Sequence, residues 1–324
     1  MLNHATNHTQ TRCGQLKNKQ LIKKSLFTLL FLISIFSGLS QEIKLKLIPG
    51  ETYFHNSLTR VLMIQDFHGE EFESDMTMGG KMRFYVKDKR DSLYDIEVKF
   101  ETMQFSMKSN EMEISANSVV SDTTNLFDVL MKEMIEKPFD ITITDLGLIK
   151  NIEMDNVFDN LFSFDPKIPK IEKAKIVYLL KQSFGEEAMK GSIEMFTAIY
   201  PNKEITTGDF WKNEIKLETI STVIMKNKFE LTEFNKDFAL IQVESETVSD
   251  DENSFIEMNG ELIRFSSDGK MNALYKIDSK TGWVIESNIV QNITGLSEKK
   301  WKIDSPLILK IPFTYKGTIN LKSN

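Results

Sequence analysis

Apolar and polar residues alternate most plainly near the end of the chain. Leu307, Leu309, Ile311, Phe313, Tyr315, Ile319 and Leu321 share one parity, and Lys310, Pro312, Thr314, Lys316, Thr318 and Asn320 fall between them. Successive side chains of a strand point to opposite faces, so this run predicts a single long strand with one buried and one wet face. The 15 residues from Leu307 to Leu321 would extend about 50 Å at strand rise, a length found in strongly twisted, curled sheets or barrels. Pro312 lacks an N–H and suggests an edge position.

A second run, Tyr94, Ile96, Val98 and Phe100, gives way to Met103, Phe105 and Met107 in the opposite phase. A buried face that changes parity predicts a β-bulge or corner between Phe100 and Met103. Ser267-Asp268-Gly269 before Met271–Ile277, and Asp278-Ser279-Lys280-Thr281-Gly282 before Trp283–Ile293, both predict antiparallel hairpins. Strand-like patterning covers Ile43 to about Ile152 and again Glu214 to Leu321.

Between these regions the period becomes helical. Asp122, Thr123 or Thr124 is expected to cap a helix with the stripe Leu126, Val129, Leu130 and Met134, ending before Pro138. A second helix runs from about Glu172, after Pro166 and Pro169, with Ile176, Leu179 and Leu180 inward. A third starts after Gly185 and aligns Met189, Ile193, Phe196 and Tyr200; a short turn is expected around Asn156–Phe162. Stripes of this kind are the faces by which helices pack on sheets.

The expected fold class is therefore α+β: a long, curved antiparallel β-sheet, forming an open barrel or two related half-sheets, with three to four helices inserted in the middle of the chain. A single β-rich domain over residues 41–324 is expected, with a helical segment at 122–200. Two related halves, 41–152 and 205–324, are an alternative raised by a weak internal echo. Ile96-Glu97-Val98-Lys99-Phe100-Glu101-Thr102 echoes Ile241-Gln242-Val243-Glu244-Ser245-Glu246-Thr247, and Ile143–Ile149 echoes Ile277–Ile285 with a gap. Amphipathic strands with glycine turns produce such echoes without kinship as well.

The first 40 residues change the picture of compartment. Arg12, Lys17, Lys19, Lys23 and Lys24, with no acidic residue, lead into the apolar run Leu26–Phe36, which the small residues Ser37, Gly38 and Ser40 follow. That run is about half of what a bilayer-spanning helix needs, so residues 1–40 are expected to be a signal peptide cleaved before Gln41, leaving no transmembrane segment. Cys13 would leave with it, so the mature chain would lack disulfides, thiolate metal sites and cysteine nucleophiles. About 280 residues suffice for a core stabilised by packing alone. Removing five basic residues leaves 35 basic against 47 acidic, a formal charge of −12. Such a surface repels phosphate backbones, and no nucleic-acid partner is expected.

Catalytic motifs are missing. Only His55 and His68 follow the signal peptide, and no nucleophile elbow, zinc-protease motif, P-loop or dinucleotide fingerprint occurs. No catalytic residue, cofactor or metal site is assigned, and the chain is expected not to be an enzyme. His68-Gly69-Glu70-Glu71-Phe72-Glu73-Ser74-Asp75 and Ser249-Asp250-Asp251-Glu252-Asn253 read as solvated segments without calcium-loop spacing, and Lys87–Arg90 and Lys299–Lys302 as surface strand ends. Among 16 methionines, Met76, Met78, Met82, Met103, Met107 and Met112 could offer thioethers to Cu(I), but their strand parity favours packing. The same flexible side chains suit a pocket for an apolar ligand, with Met103, Phe105, Met107, Ile311 and Phe313 as the expected lining.

The segments PFDITITDLGLIKNIE (138–153) and YKIDSKTGWVIES (275–287), set within the two strand-rich regions, resemble an uncharacterised family of exported proteins from Bacteroidota-type bacteria, a domain of unknown function. The resemblance covers most of residues 42–324 and implies no residue roles. The order of strands, helices and strands is also similar to periplasmic lipoprotein-carrier folds, whose half-open barrels hold acyl chains beneath helices. Three functions follow as expectations. The first is a periplasmic or secreted protein that binds an apolar small molecule or lipid. The second is a structural or protein-interaction module of the envelope with a filled core. The third and least favoured is a carboxylate-based hydrolase.

Overall fold

The computed structural model describes residues 40–110, 112–119, 125–135, 137–164, 167–218, 222–250, 254–258, 261–300 and 306–323. The expected signal peptide with Cys13, the cap candidates Asp122, Thr123 and Thr124, and Pro166, Asp251–Asn253, Trp301 and Lys302 lie outside them. The strands are β1 (Thr52–Phe67), β2 (Glu70–Arg90), β3 (Leu93–Ser109), β4 (Glu113–Asn117), β5 (Phe139–Thr144), β6 (Ile149–Glu153), β7 (Phe210–Glu218), β8 (Thr222–Phe234), β9 (Phe238–Ser249), β10 (Ile256–Met258), β11 (Glu261–Asp278), β12 (Val284–Lys300) and β13 (Leu309–Lys322). The helices are α1 (Leu126–Ile135), α2 (Lys170–Phe184) and α3 (Glu186–Thr197), with a single helical turn at Asp155–Phe158.

Every strand joins one antiparallel sheet in the order β6-β5-β3-β2-β1-β13-β12-β11-β9-β8-β7, with β4 beside β3 and β10 beside β11. The sheet does not close, because its edge strands β6 and β7 are not paired with each other. With so few helices against 13 strands, the fold is mostly β, and the expected α+β class gives way to it. The orders β1-β2-β3-β5-β6 and β7-β8-β9-β11-β12 are the same, and β13 joins β12 to β1. The echoing segments fall in β3 and β9, and across the β5–β6 and β11–β12 turns.

Alternation places the core. In β13, Ile311, Gly317, Ile319 and Leu321 are buried, while Lys310, Pro312, Lys316, Asn320 and Lys322 are exposed. The strand is interior, between β1 and β12, so the edge expected from Pro312 is corrected. Pro312 faces Leu296 of β12, and the β1 ladder ends one residue away at Gln65–Phe313, so no β1 acceptor loses a donor. The strand also begins at Leu309; Leu307 is exposed outside it. The change of phase in β3 is a register shift in which Phe100 faces Met82 and Thr102 faces Lys81, leaving Glu101 as the extra residue. The Asp278–Gly282 hairpin forms between β11 and β12. The hairpin expected at Ser267–Gly269 does not, since β11 runs straight through it. Gly269 instead permits close strand packing: a Cβ there would lie 2.7 Å from Ile293 Cγ1.

Helix α3 fills the gap between the sheet edges. Glu194 Oε1 accepts the Ile149 N–H of β6 at 2.8 Å, and Thr197 Oγ1 donates to the Gly147 carbonyl at 2.7 Å. Toward β7, Trp211 Nε1 donates to the Ile199 carbonyl at 3.1 Å and Asn213 Nδ2 to that of Ala198. Gly147, at φ +79°, is needed because a Cβ would lie 1.6 Å from the Thr197 carbonyl oxygen. The segment before β1 is not a strand as patterned from Ile43. It is an extended plug with Ile43, Leu45 and Leu47 buried. Leu45 N–H donates to the Asp145 carbonyl and Lys46 N–H to that of Thr281, so the plug ties the β5–β6 turn to the β11–β12 turn. Tyr94 Oη donates to the Leu45 carbonyl at 3.0 Å.

The helical stripes match the expected ones with adjustments. Leu130, Met131 and Met134 of α1 are buried, and Asn125 Oδ1 takes the Phe127 N–H at its start. Met189, Ile193 and Phe196 of α3 are buried, and Tyr200 just beyond it is too. In α2, Ile176 and Leu180 are half-buried, whereas Ile171 and Tyr178 are exposed; the Leu179 side chain lies outside the described set.

Burial raises the Glu194 carboxyl above the ordinary glutamate range, against the opposing Ile149 hydrogen bond. The folded state therefore binds this proton more tightly than the unfolded chain, and the contribution to stability falls as pH rises from the ordinary range through the raised value. Glu194→Gln keeps a carbonyl acceptor for Ile149 and is expected to be neutral or stabilising at neutral pH. Glu194→Leu orphans that buried N–H and is expected to cost about 1–3 kcal/mol. Urea unfolding of both variants checks the pair, and equal losses in the two would contradict the acceptor role.

Candidate functional site

The inner face of β1–β3 and the three helices enclose a cleft of about 200 Å³. Two rows of paired residues form its sheet side: Ser57, Gly80 and Met103 across β1, β2 and β3, and next to them Thr59 and Met78 across β1 and β2. Met131 of α1, Ser183 and Phe184 of α2, and Met189, Ser192, Met195 and Phe196 of α3 face them. Strand parity puts the sheet residues here; the helical residues arrive because α3 must lie against the sheet edges.

Gly79 and Gly80 shape the floor. A Cβ at Gly79 would lie 2.3 Å from the Ser57 carbonyl oxygen, and one at Gly80 2.1 Å from that of Thr102. Both positions lie beside the Lys81–Met82 register shift, where β2 bends, so glycine both permits the bend and leaves the floor without side chains. Met78, Met82, Met103, Met131, Met189 and Met195 supply most of the remaining wall. Unbranched thioether chains adjust their rotamers to an irregular occupant at low cost. Among the described lining residues none is charged, and the polar ones are Ser57, Thr59, Thr102, Gln104, Ser183 and Ser192.

Of the five residues expected to line a pocket, Met103 does so. Phe105 and Met107 continue along the same face of β3, opposite Met78 and Met76. Ile311 and Phe313 share that face but belong to β13, three strand spacings or about 15 Å from β3, and Phe313 lies level with Gln65 and not with Met107's row. The set is thus one face and not one pocket. Met189 and Phe196 stood on a predicted inward stripe. Met131, Met195, Phe184 and Ile319 carried no signal that they would meet the sheet methionines, since the meeting depends on where helices settle.

The polar groups elsewhere have structural roles. Asp128 Oδ1 accepts the Asn117 N–H, as Glu194 does that of Ile149. Asn227 Nδ2 donates to Asn213 Oδ1 at 2.8 Å, and Ser245 Oγ to Asn227 Oδ1, making a ladder across β7, β8 and β9. His68 lies at the β1–β2 turn with φ 58°, exposed, and Glu71, Glu73 and Asp75 point outward from β2. Among the described residues no group of three or more His, Cys, Asp or Glu is placed to hold a metal ion.

His55 is buried beneath the cleft, stacked on Trp283 at 4.3 Å with Phe84 and Phe196 edge-on at 5.2 and 6.0 Å. Burial pushes its pKa down to about 3, against a smaller opposing hydrogen bond to the Val284 backbone. Its Nε2 has no partner among the described residues. A neutral ring that resists protonation is an aromatic packing element here.

The outward face of the sheet carries cross-strand ion pairs beside exposed apolar residues such as Leu274 and Val290. Lys81 pairs with Glu101, Arg83 with Glu97 and Lys228 with Glu244 across neighbouring strands. Among the described residues no helix is long and apolar enough to cross a membrane.

A model of a family of unknown function (DUF6263) matches residues 91–284, from the start of β3 to the start of β12. The chain matches no curated protein in sequence. Among solved structures it is similar to lipovitellin, described for its lipid-protein interactions, at 8% identity and a TM-score of 0.45 over 86% of this chain; it spans only 26% of that one. It is similar to the outer membrane protein OprG of Pseudomonas aeruginosa at 7% identity and a TM-score of 0.25, over 87% of this chain and 98% of that one. The COG4313 outer membrane channel of Pseudomonas putida F1 gives 7% and 0.21 over the same shares. None reaches a TM-score of 0.5.

With the folded pKa of His55 far below the ordinary histidine value of about 6.5, the unfolded chain binds this proton first. Stability is then full above about pH 6.5 and declines toward pH 3, by up to about 1.4 kcal/mol per pH unit for the single proton. Urea unfolding at a series of pH values is expected to show a shallower slope in His55→Phe than in the wild type through that window. Parallel curves would show that His55 is accessible to protons in the folded state.

Proposed function

We propose that this chain, which belongs to that family of unknown function, is an exported, non-catalytic protein that holds an apolar or lipid-like ligand in the cleft between β1–β3 and the helices. One observation carries the reading: an uncharged, half-open hollow in which six methionines from two strands and two helices converge on a floor bare of side chains. Removing apolar ligand surface from water stabilises a complex by about 25 cal/mol per Å² before ordering costs. The basic and apolar N-terminal pattern supports export to the periplasm or medium.

The interaction-module reading has its own support in the exposed apolar residues Phe164, Ile171 and Tyr178, on and before α2. The two readings part on whether the cleft is occupied. Native mass spectrometry of the protein taken from its own envelope fraction, with lipid analysis of an organic extract, is expected to show a co-purifying aliphatic compound. Ser192→Trp, at an exposed position on the rim, is expected to fold normally and lose that compound. A clean apo mass, with no uptake of added amphiphile, would turn the assignment to the interaction module.

A further inference from the structure

We infer that the ligand is an electrically neutral, single-chain amphiphile: an aliphatic tail carrying a hydroxyl- or amide-bearing head, in preference to a fatty-acid anion, a phospholipid or an alkylammonium ion. This rests on the binding reading above and specifies its ligand class.

Thr102 and Gln104 border the cleft but flank the inward Met103, and Thr102 Oγ1 takes the Lys81 N–H; the polar groups that face a ligand are the hydroxyls of Ser57, Thr59, Ser183 and Ser192. Each can donate to and accept from a neutral head, and none can neutralise an ion. Two basic side chains next to the cleft are paired away from it. Lys81 pairs with Glu101 at 3.0 Å on the convex face, and Lys181 pairs with Asp155 at 3.4 Å. Lys190, next to Met189, acts on the carboxyl of Glu194. An anion drawn into the cleft would surrender hydration without a counter-charge, and the acidic surface adds long-range repulsion. A cation would meet no carboxylate in the wall. Neutral hydroxyls lose far less, because Ser and Thr hydroxyls replace their waters. Size narrows the class further. A cleft of about 200 Å³ is below the roughly 300–1,000 Å³ of common ligand pockets, and so suits part of one chain and not a pair.

The test holds the tail constant and varies the head. Binding of 1-monododecanoylglycerol, dodecanoate and dodecyltrimethylammonium, each below its micelle concentration, is measured by isothermal titration calorimetry on the purified protein at a pH well above the carboxylate range. The monoglyceride is expected to bind at least about tenfold more tightly than either ion. Ser192→Lys places a cation at the exposed rim and is expected to bring dodecanoate to parity with the monoglyceride or past it, with an unchanged circular dichroism spectrum. An ion that matches or exceeds the monoglyceride in the wild type overturns the inference while leaving the cleft a binding site. Failure of all three probes overturns the binding reading itself.

Discussion

A sheet that stops before closing leaves two rows of backbone donors and acceptors, and the answer to that constraint organises this molecule. The edges β6 and β7 do not pair with each other, and α3 with the residues just after it bridges them: Glu194 takes the Ile149 N–H of β6, Thr197 donates to the Gly147 carbonyl of the β5–β6 turn, and the carbonyls of Ala198 and Ile199 take the side-chain donors of Asn213 and Trp211 on β7. These contacts hold the helix across the gap and inside the concavity. Once there, its other face, with Met189, Ser192, Met195 and Phe196, must look toward β1–β3. The cleft is therefore a by-product of closing the sheet with a helix in place of a strand. Its lining is apolar because the same face that borders the hollow also continues the core.

The buried N-terminal plug meets a related demand at one end of the curl. Ile43, Leu45 and Leu47 cover apolar surface that no strand covers, while the backbone bonds of Leu45 to Asp145 and of Lys46 to Thr281 link turns from opposite parts of the sheet. Gly282, where a Cβ would lie 2.2 Å from the Lys44 carbonyl oxygen, makes room for the plug, and Tyr200 donates to the Gly282 carbonyl from inside. His55, Trp283 and Phe84 pack on the sheet's inner side with Phe196 of α3.

Local pattern carried most of the strand architecture. The β13 alternation, the parity change between Phe100 and Met103 and the Asp278–Gly282 turn each express a rule acting over a few residues, and the chain obeys it there. Where reading failed, a distant neighbour decided the outcome. Ser267-Asp268-Gly269 has turn composition, yet its glycine answers to Ile293 across the ladder. Pro312 implied an edge because the strand's partners were unknown; β1 simply ends its ladder beside it. Ile43–Leu47 alternates like a strand and serves as a plug, since alternation reports one buried side and not what buries it. The cleft was legible in residue type, as flexible apolar lining, but only Met103 of the five residues singled out reaches it. Placing Ile311 and Phe313 required the strand order, and placing Met131 and Met195 required the helix positions, neither of which periodicity contains.

The order of the sheet also sets an order of assembly. β1 and β13 are neighbours at its middle, so the two five-strand meanders stay unjoined until the last strand in the sequence has been made. Pairings that span nearly the whole chain form late and slowly, because loop closure is opposed by entropy before any ladder bond offsets it. A ribosome making this chain holds back the central seam until β13 has emerged, and the two meanders remain without that staple until then.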